Sequence, residues 1–311
     1  MGAAQITVGV FALDRILLPG GGPAKGWPQR LAGGGAALAE GAEAVELVLA
    51  AGREGPVLAR PARIGRTDWP EGARVEVEPV AGRAGLFLVR CGGKPVAVAA
   101  ARPLLPGASL PEGVPAPPHP PAGFAAQTLI DTPDGPRAAG SLVAGDMVTT
   151  LSNGSRPLCW VGRWRVTAIE MLAQPGQRPV VLAPGALGNT RELVVSPAQR
   201  LLIDDWRAEV YFGEDRVLVS AGALVDDQGA RLGLPPGGVD YVVLLCDRHE
   251  VLLAEGALSE SFHPGEEGLA GLDQAARAAL AEVVPEADLA RRRAACPIVR
   301  DAEARALRLK G

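Results

Sequence analysis

The amino-acid sequence predicts a mainly β chain with two β domains and a short helical tail. Glycine and proline are abundant, at 40 and 28 of the 311 residues, whereas aromatic residues make up only 4%. Short runs rich in valine and leucine alternate with these turn-forming residues, which is typical of many short strands. The length allows two domains of roughly 100–200 residues each.

The first domain is predicted over residues 1–102 as a small β barrel or sandwich, because turns recur at regular spacing. Polar and apolar residues alternate over Val75–Glu78, as in a half-buried strand. Gly92 and Gly93 separate two strand-like runs and indicate a tight hairpin. No catalytic constellation is recognisable in this segment. The runs predicted as strands are Gln5–Leu13, Ala44–Ala50, Val57–Ile64, Arg74–Val80, Leu86–Cys91 and Pro95–Ala101.

Proline dominates residues 103–122 and predicts a linker, since proline fixes φ and lacks the N–H that a central strand needs. His119 lies in this linker and is expected to be exposed. Short strands and turns return over residues 123–265. Residues 266–311 are predicted to be a helical tail, in the pieces Leu269–Val284, Glu286–Ala294 and Asp301–Leu309.

Charge and composition exclude several function classes. The net charge of −4 gives no global field that attracts nucleic acid or an anionic membrane. There are only three histidines, and the four cysteines form no CxxC pair, so neither a metal centre nor a disulfide framework is predicted, and no cofactor is expected. The cysteines are Cys91, Cys159, Cys246 and Cys296. Neither a signal peptide nor an apolar run of the ~20 residues that span a membrane is recognisable. Cytoplasmic localisation is therefore the default expectation.

Six short motifs occur in a fixed order between residues 123 and 263. They are Gly123–Gly135 (GFAAQTLIDTPDG), Leu142–Val148 (LVAGDMV), Trp160–Arg163 (WVGR), Gly185–Gly188 (GALG), Val195–Leu202 (VSPAQRLL) and Asp247–Val251 (DRHEV), the last followed by AEGA and SESF. In this order they resemble the bacterial Hint domain, the hedgehog/intein fold. The resemblance implies a compact, pseudo-symmetric all-β domain over residues 123–265. Gly145, Asp146, Trp160 and Gly162 are interpreted as residues that define this fold.

The same resemblance implies autocatalytic peptide-bond cleavage, in which the first cysteine of the domain attacks the preceding carbonyl in an N-to-S acyl shift. A Ser-x-x-His pair would polarise that carbonyl and protonate the leaving amine. Here Gly123 stands at the cysteine position, so the chain has no nucleophile for the Ala122–Gly123 bond. Ser196 is retained, but Gln199 stands at the histidine position and cannot titrate. The asparagines, Asn153 and Asn189, lie in turn sequences, so no residue matches the asparagine that releases a C-terminal segment.

Asp247 and His249 match the late motif of the family. Two residues apart on a strand, they would share one face. They are interpreted either as a residual acid/base pair or as a structural histidine satisfied by neighbouring backbone. Cys159 and Cys246 lie within apolar runs and are interpreted as buried, inert thiols rather than replacement nucleophiles.

Three functions stay open at this point. In the first, the domain is a silent Hint fold that acts as a structural or binding module, with a pocket at Gly123, Gln127 and Gln199 that holds a segment of its own chain or of another protein. In the second, residual autoproteolysis uses Ser196, Asp247 and His249. In the third, the N-terminal β domain is the binding module. The sequence names no small-molecule ligand.

Overall fold

A computed structural model describes residues 5–18, 29–52, 54–113, 119–226, 228–284 and 293–305. The chain forms two compact units. The first comprises residues 1–116, with residues 167–175 and 235–238, and the second comprises residues 117–166, 176–234 and 239–311. The predicted mainly β fold class is confirmed. The predicted boundaries at 102, 122 and 265 stay predictions, and the predicted helix Glu286–Ala294 falls mostly outside the described residues.

The first unit is a curled six-stranded antiparallel sheet, a half-barrel in the order β5-β4-β1-β10-β9-β8. Two short two-stranded ribbons, β2-β3 and β6-β7, accompany it. The strands are β1 Ile6–Ala12, β2 Ile16–Leu17, β3 Ala37–Leu38, β4 Val45–Gly52, β5 Gly55–Leu58, β6 Ala62–Ile64, β7 Thr67–Trp69, β8 Val75–Pro79, β9 Leu86–Cys91 and β10 Lys94–Ala100. Two short helices belong to this unit, α1 Gln29–Ala32 and α2 Ala168–Ala173.

The predicted hairpin joins β9 to β10. Cys91 pairs with Lys94, so Gly92 and Gly93 form a two-residue turn, and both have positive φ, at 54° and 77°. That backbone is the type I′ turn, which favours glycine and matches the twist of the flanking strands. The hairpin places Leu86 and Leu88 in the core of the unit.

Arg83 is buried in the first unit, and its guanidinium joins two loops through main-chain carbonyls. Its Nε donates to the Leu31 carbonyl at 2.9 Å, and its Nη1 donates to the Leu110 carbonyl at 2.9 Å. Its Nη2 donates to the Gly33 carbonyl, and Glu112 supplies a carboxylate 3.6 Å from Nη1. Part of the predicted linker, around Leu110, therefore packs on this unit.

The second unit contains a seven-stranded sheet in the order β14-β15-β21-β11-β17-β16-β20 and a six-stranded sheet in the order β13-β12-β22-β23-β18-β19. Its main core lies among residues of both sheets, including Phe124, Ile130, Leu158, Val219 and Leu252. The strands are β11 Phe124–Ala125, β12 Leu129–Ile130, β13 Arg137–Ala138, β14 Met147–Thr149, β15 Ser155–Val166, β16 Val180–Leu182, β17 Leu193–Val195, β18 Arg200–Ile203, β19 Val217–Ser220, β20 Ala230–Leu232, β21 Val239–Cys246, β22 Val251–Ala254 and β23 Ala257–Glu260.

Two of the sequence motifs have structural explanations in this unit. The buried ring of Trp160 lies directly over Gly162, where any Cβ would collide with it. Asp146 closes the turn before β14: its carboxylate accepts from the Val143 amide at 2.9 Å and contacts Arg137 at 3.1 Å. The hydrogen bond from Arg137 and then that from Val143 lower the pKa of the Asp146 carboxyl.

The helices of the second unit differ from the prediction in extent. They are α3 Trp206–Phe212, α4 Glu266–Ala270, α5 Gln274–Val283 and α6 Asp301–Ala304. Gly271 interrupts the predicted helix Leu269–Val284 and separates α4 from α5. The helices α2 and α3 have no counterpart in the prediction. Within the described part of the chain, no helix is both long and apolar enough to cross a membrane.

The buried guanidinium makes Arg83 a test of how the first unit is held together. Arg83→Ala leaves several buried carbonyls without donors, and we expect the free energy of unfolding to fall by about 3 kcal/mol. Urea denaturation measures this change. Arg63→Ala is the matched control, because its ion pair with Asp68 is exposed at both ends, and we expect a change below about 0.5 kcal/mol. Equal effects of the two variants would contradict the structural role of Arg83.

Candidate functional site

Gly123 and Ser196 lie side by side at the start of the second unit. The Gly123 amide donates to Ser196 Oγ at 3.1 Å, and the Ser196 amide donates to the Gly123 carbonyl at 2.9 Å. Both residues are buried, and the next residue, Phe124, pairs with Val195 and Val242 in the sheet. The Ala122–Gly123 peptide is therefore held on its carboxyl side by reciprocal hydrogen bonds.

The space beside Gly123 is tight. A Cβ built on Gly123 would lie 3.0 Å from the Val242 carbonyl oxygen and 3.5 Å from the Tyr241 Cβ. The first contact is with backbone, which yields less readily than a flexible side chain. On the other side of the junction, Ala122 is buried in a cluster with Trp160, Phe262 and Leu272. The site thus fits a residue without a side chain at position 123.

Gln199 is buried close to this junction and its amide group is occupied. Its Nε2 donates to Ser259 Oγ and to the Glu260 carbonyl, both at 2.8 Å. The Gln199 main-chain amide donates to the Ser196 carbonyl at 3.1 Å. Gln127, by contrast, has an exposed side chain. The structure therefore brings Gly123, Ser196 and Gln199 together, joined by hydrogen bonds rather than around an open pocket.

Asp247 and His249 do not form a pair. Strand β21 ends at Cys246 and β22 begins at Val251, so the strand alternation that would put them on one face does not apply. The partly exposed Asp247 carboxylate pairs with Arg156 at 3.1 Å. His249 is buried, and its Nε2 lies 3.0 Å from the Glu260 carboxylate.

Glu260 is the acid that faces the histidine, and the sequence prediction gave it no role. Its side chain is fully buried. Besides His249, it contacts the Arg200 guanidinium at 3.3 Å, and Arg200 continues to Glu267 at 2.9 Å. The available signal was the position of Glu260 at the end of a strand, directly before Ser261 and the buried Phe262. A carboxylate buried at such a position needs partners.

The second nitrogen of His249 is also engaged. The Ala295 amide donates to His249 Nδ1 at 2.9 Å. Because Nδ1 accepts, the ring proton lies on Nε2 and is donated to Glu260. The His263 ring packs edge-on against the imidazole, with centroids 4.7 Å apart. Both ring nitrogens of His249 are therefore engaged in hydrogen bonds.

The second unit is similar to a known protein family. Residues 122–266 match the family model of the Hint domain. The chain contains a Hint domain. The solution structure of a bacterial intein-like domain from Clostridium thermocellum is similar to 44% of this chain and 96% of that chain, at 16% identity and a TM-score of 0.31. No curated protein matches the chain. The Hint match begins one residue before Gly123, so this residue stands where the domain starts.

Cys246 is not placed as a nucleophile, whereas Cys159, which was also predicted to be buried, is partly exposed. Cys246 is fully buried, and this burial is the main cause that raises the pKa of its thiol to about 12. The nearby carboxylates of Glu250 and Asp247 act in the same direction. Within the described residues, no group of three or more His, Cys, Asp or Glu side chains could hold a metal ion.

Replacing Glu260 tests the buried network. Glu260→Gln keeps the shape but removes the charge that faces Arg200 and His249, and we expect the free energy of unfolding to fall by about 3 kcal/mol. Asp247→Asn is the control, because its ion pair is partly exposed, and we expect a change below about 1 kcal/mol. Urea denaturation measures both. If Asp247→Asn lowered the free energy of unfolding more than Glu260→Gln does, the interpretation of Asp247 and His249 as a pair would be favoured instead.

The buried thiol of Cys246 should react slowly. We expect alkylation of Cys246 by iodoacetamide at about pH 8 to be at least a hundredfold slower in the native protein than in urea, since a raised pKa removes thiolate and burial blocks the reagent. Mass spectrometry of peptides follows the reaction. The partly exposed Cys159 is the internal comparison. Native Cys246 that reacts as fast as the unfolded thiol would show it to be a possible nucleophile.

Proposed function

We propose that this Hint domain has lost self-cleavage and serves as a structural and binding module behind the N-terminal β unit. The observation that carries the proposal is the pair of hydrogen bonds between Gly123 and Ser196. They use the groups around the former scissile bond to join β11 to β17. The residue at the nucleophile position has no side chain, so the acyl shift has no first step.

The surroundings of the junction support the same proposal. Acyl transfer requires a group that protonates the leaving amine, and Gln199 offers only an amide that already donates twice. The nearby imidazole of His249 is engaged at both nitrogens. Catalytic groups of this kind act as a unit, so losing the nucleophile removes the route rather than slowing it.

The segment before the junction is packed as a part of the domain. Ala122 is buried, and a Cβ on Gly271, in the turn between α4 and α5, would lie 3.0 Å from the Pro121 Cα. Such burial opposes the release of a peptide, because each contact of the peptide with the domain raises the barrier to its dissociation. A module that keeps both sides of the junction gains stability from it.

Intact mass after long incubation with and without an added thiol tests the proposal. We expect one species near 32.0 kDa in both conditions, because the wild-type chain lacks the nucleophile. Two fragments divided between Ala122 and Gly123 would overturn the proposal and favour residual autoproteolysis.

Putting back the two missing side chains tests whether the fold itself still supports cleavage. We expect Gly123→Cys with Gln199→His to release fragments in the presence of thiol. The matched control is Gly123→Ala with Gln199→His, which imposes the same crowding by a Cβ against Val242 but provides no thiol, and should stay intact. Cleavage of the alanine variant would show that a group other than the cysteine thiol attacks the bond.

A further inference from the structure

The Hint domain presents the exposed aromatic side chains of Trp206 and Tyr211 on α3, whereas Phe212 packs against its core. The chain has five Trp, two Tyr and five Phe, and one of each lies in this seven-residue helix. Only Ala208 of the helix is buried. Trp206 is 56% exposed, Val210 67% and Tyr211 49%. Trp and Tyr in exposed clusters are the side chains most enriched at protein-binding sites.

Both ends of the helix are capped. Asp205 caps the first turn by accepting from the Arg207 amide at 2.9 Å. Gly213 ends the helix with φ of 69°. The rings of Trp206 and Tyr211 are 6.5 Å apart, so they form one continuous apolar surface.

This surface continues into an open cavity of about 450 Å³ between the end of α3 and the C-terminal segment 297–303. That segment is fixed to the edge strand β19, because the Leu218 amide donates to the Pro297 carbonyl and the Val299 amide donates to the Leu218 carbonyl. Ser220 also donates to the Asp301 carboxylate at 2.7 Å. Both walls of the cavity are therefore held in place.

The walls of the cavity are apolar and acidic. Tyr211, Phe212, Val217 and Ile298 supply the apolar part, and Glu214 and Glu303 supply two exposed carboxylates. Among the described residues that line the cavity, none is basic. The basic residue of α3, Arg207, is already paired with Asp205. An apolar ligand with positive charges complements this lining, whereas an anionic lipid surface does not.

We propose that this groove, defined by α3 and residues 297–303, binds a basic, apolar peptide segment of another protein. Tyr211 and Trp206 provide the apolar anchor, and Glu214 and Glu303 select positive charge. The inference rests on the proposed role of the domain as a binding module, and the lining of the cavity includes none of the Gly123 junction residues.

The experiment uses the full chain and a fluorescent, end-blocked octapeptide of alternating leucine and lysine, with fluorescence anisotropy as the readout. An octapeptide of alternating leucine and glutamate has the same apolar pattern and the opposite charge. We expect the lysine peptide to bind at least about tenfold more tightly. Tyr211→Ala should weaken its binding about tenfold or more. Leu232→Ala, at an exposed apolar residue that does not line the groove, should leave binding unchanged.

Reversing the charge of the groove completes the test. With Glu214→Lys and Glu303→Lys together, the glutamate peptide should become the tighter ligand. These residues are exposed, so the variant should fold, and it tests the proposal even if Tyr211→Ala does not. Equal binding of both peptides to the wild-type chain would overturn the proposal. A concentration-dependent dimer that Trp206→Ala abolishes would also overturn it and identify a second copy as the occupant. The intact mass of the same samples reports cleavage separately. A failure of the proposed loss of self-cleavage is therefore distinguishable from a failure of the proposed peptide binding.

Discussion

The buried carboxylate of Glu260 is the constraint around which the Hint domain is arranged. A fully buried charge is costly unless every side of it is satisfied. Arg200 from β18 and His249 from the loop before β22 meet this requirement, at 3.3 Å and 3.0 Å. His249 in turn takes its remaining hydrogen bond from Ala295. One charge at the end of β23 thus fixes a neighbouring strand, a loop and the C-terminal segment.

The junction between Gly123 and Ser196 shares this network. Gln199 donates to the Glu260 carbonyl and to Ser259, while its own amide bonds to Ser196, which pairs with Gly123. A glutamine keeps the same protonation state across pH, so the side chain of Gln199 has no titration of its own. The residues that could have served acid/base chemistry serve as hydrogen-bond partners of one another instead. These hydrogen bonds are the basis of the proposal that the domain serves as a scaffold.

Local sequence signals predicted the parts of the fold that local geometry decides. The Gly92-Gly93 hairpin and the strand Leu86–Cys91 are of this kind, since turn residues and apolar runs are recognisable in the sequence itself. The short helices were missed because their apolar periodicity is too brief. The capping residues of two of these helices are recognisable in the sequence. Thr167 and Glu170 form a capping box on α2, and Asp205 and Gly213 bound α3.

The site was predictable as far as the motifs reached and no further. Gly123, Ser196 and Gln199 come together, yet Asp247 and His249 do not form the acid/base pair that was one of their two interpretations. That expectation assumed a strand where the chain turns. Glu260, which faces His249, is eleven residues away on β23. Ala295, whose amide donates to the same ring, is 46 residues away. Such contacts are chosen by tertiary packing, which no local pattern encodes.

Packing in the core does not account for the exposed aromatic side chains of α3. Because only Ala208 of this helix is buried, core packing places no demand on Trp206, Val210 or Tyr211. Exposed apolar side chains gain nothing from water, and a polar residue at each position would keep the helix with its caps. We therefore attribute their combination, in a chain with only 4% aromatic residues, to the proposed binding surface rather than to the stability of the fold.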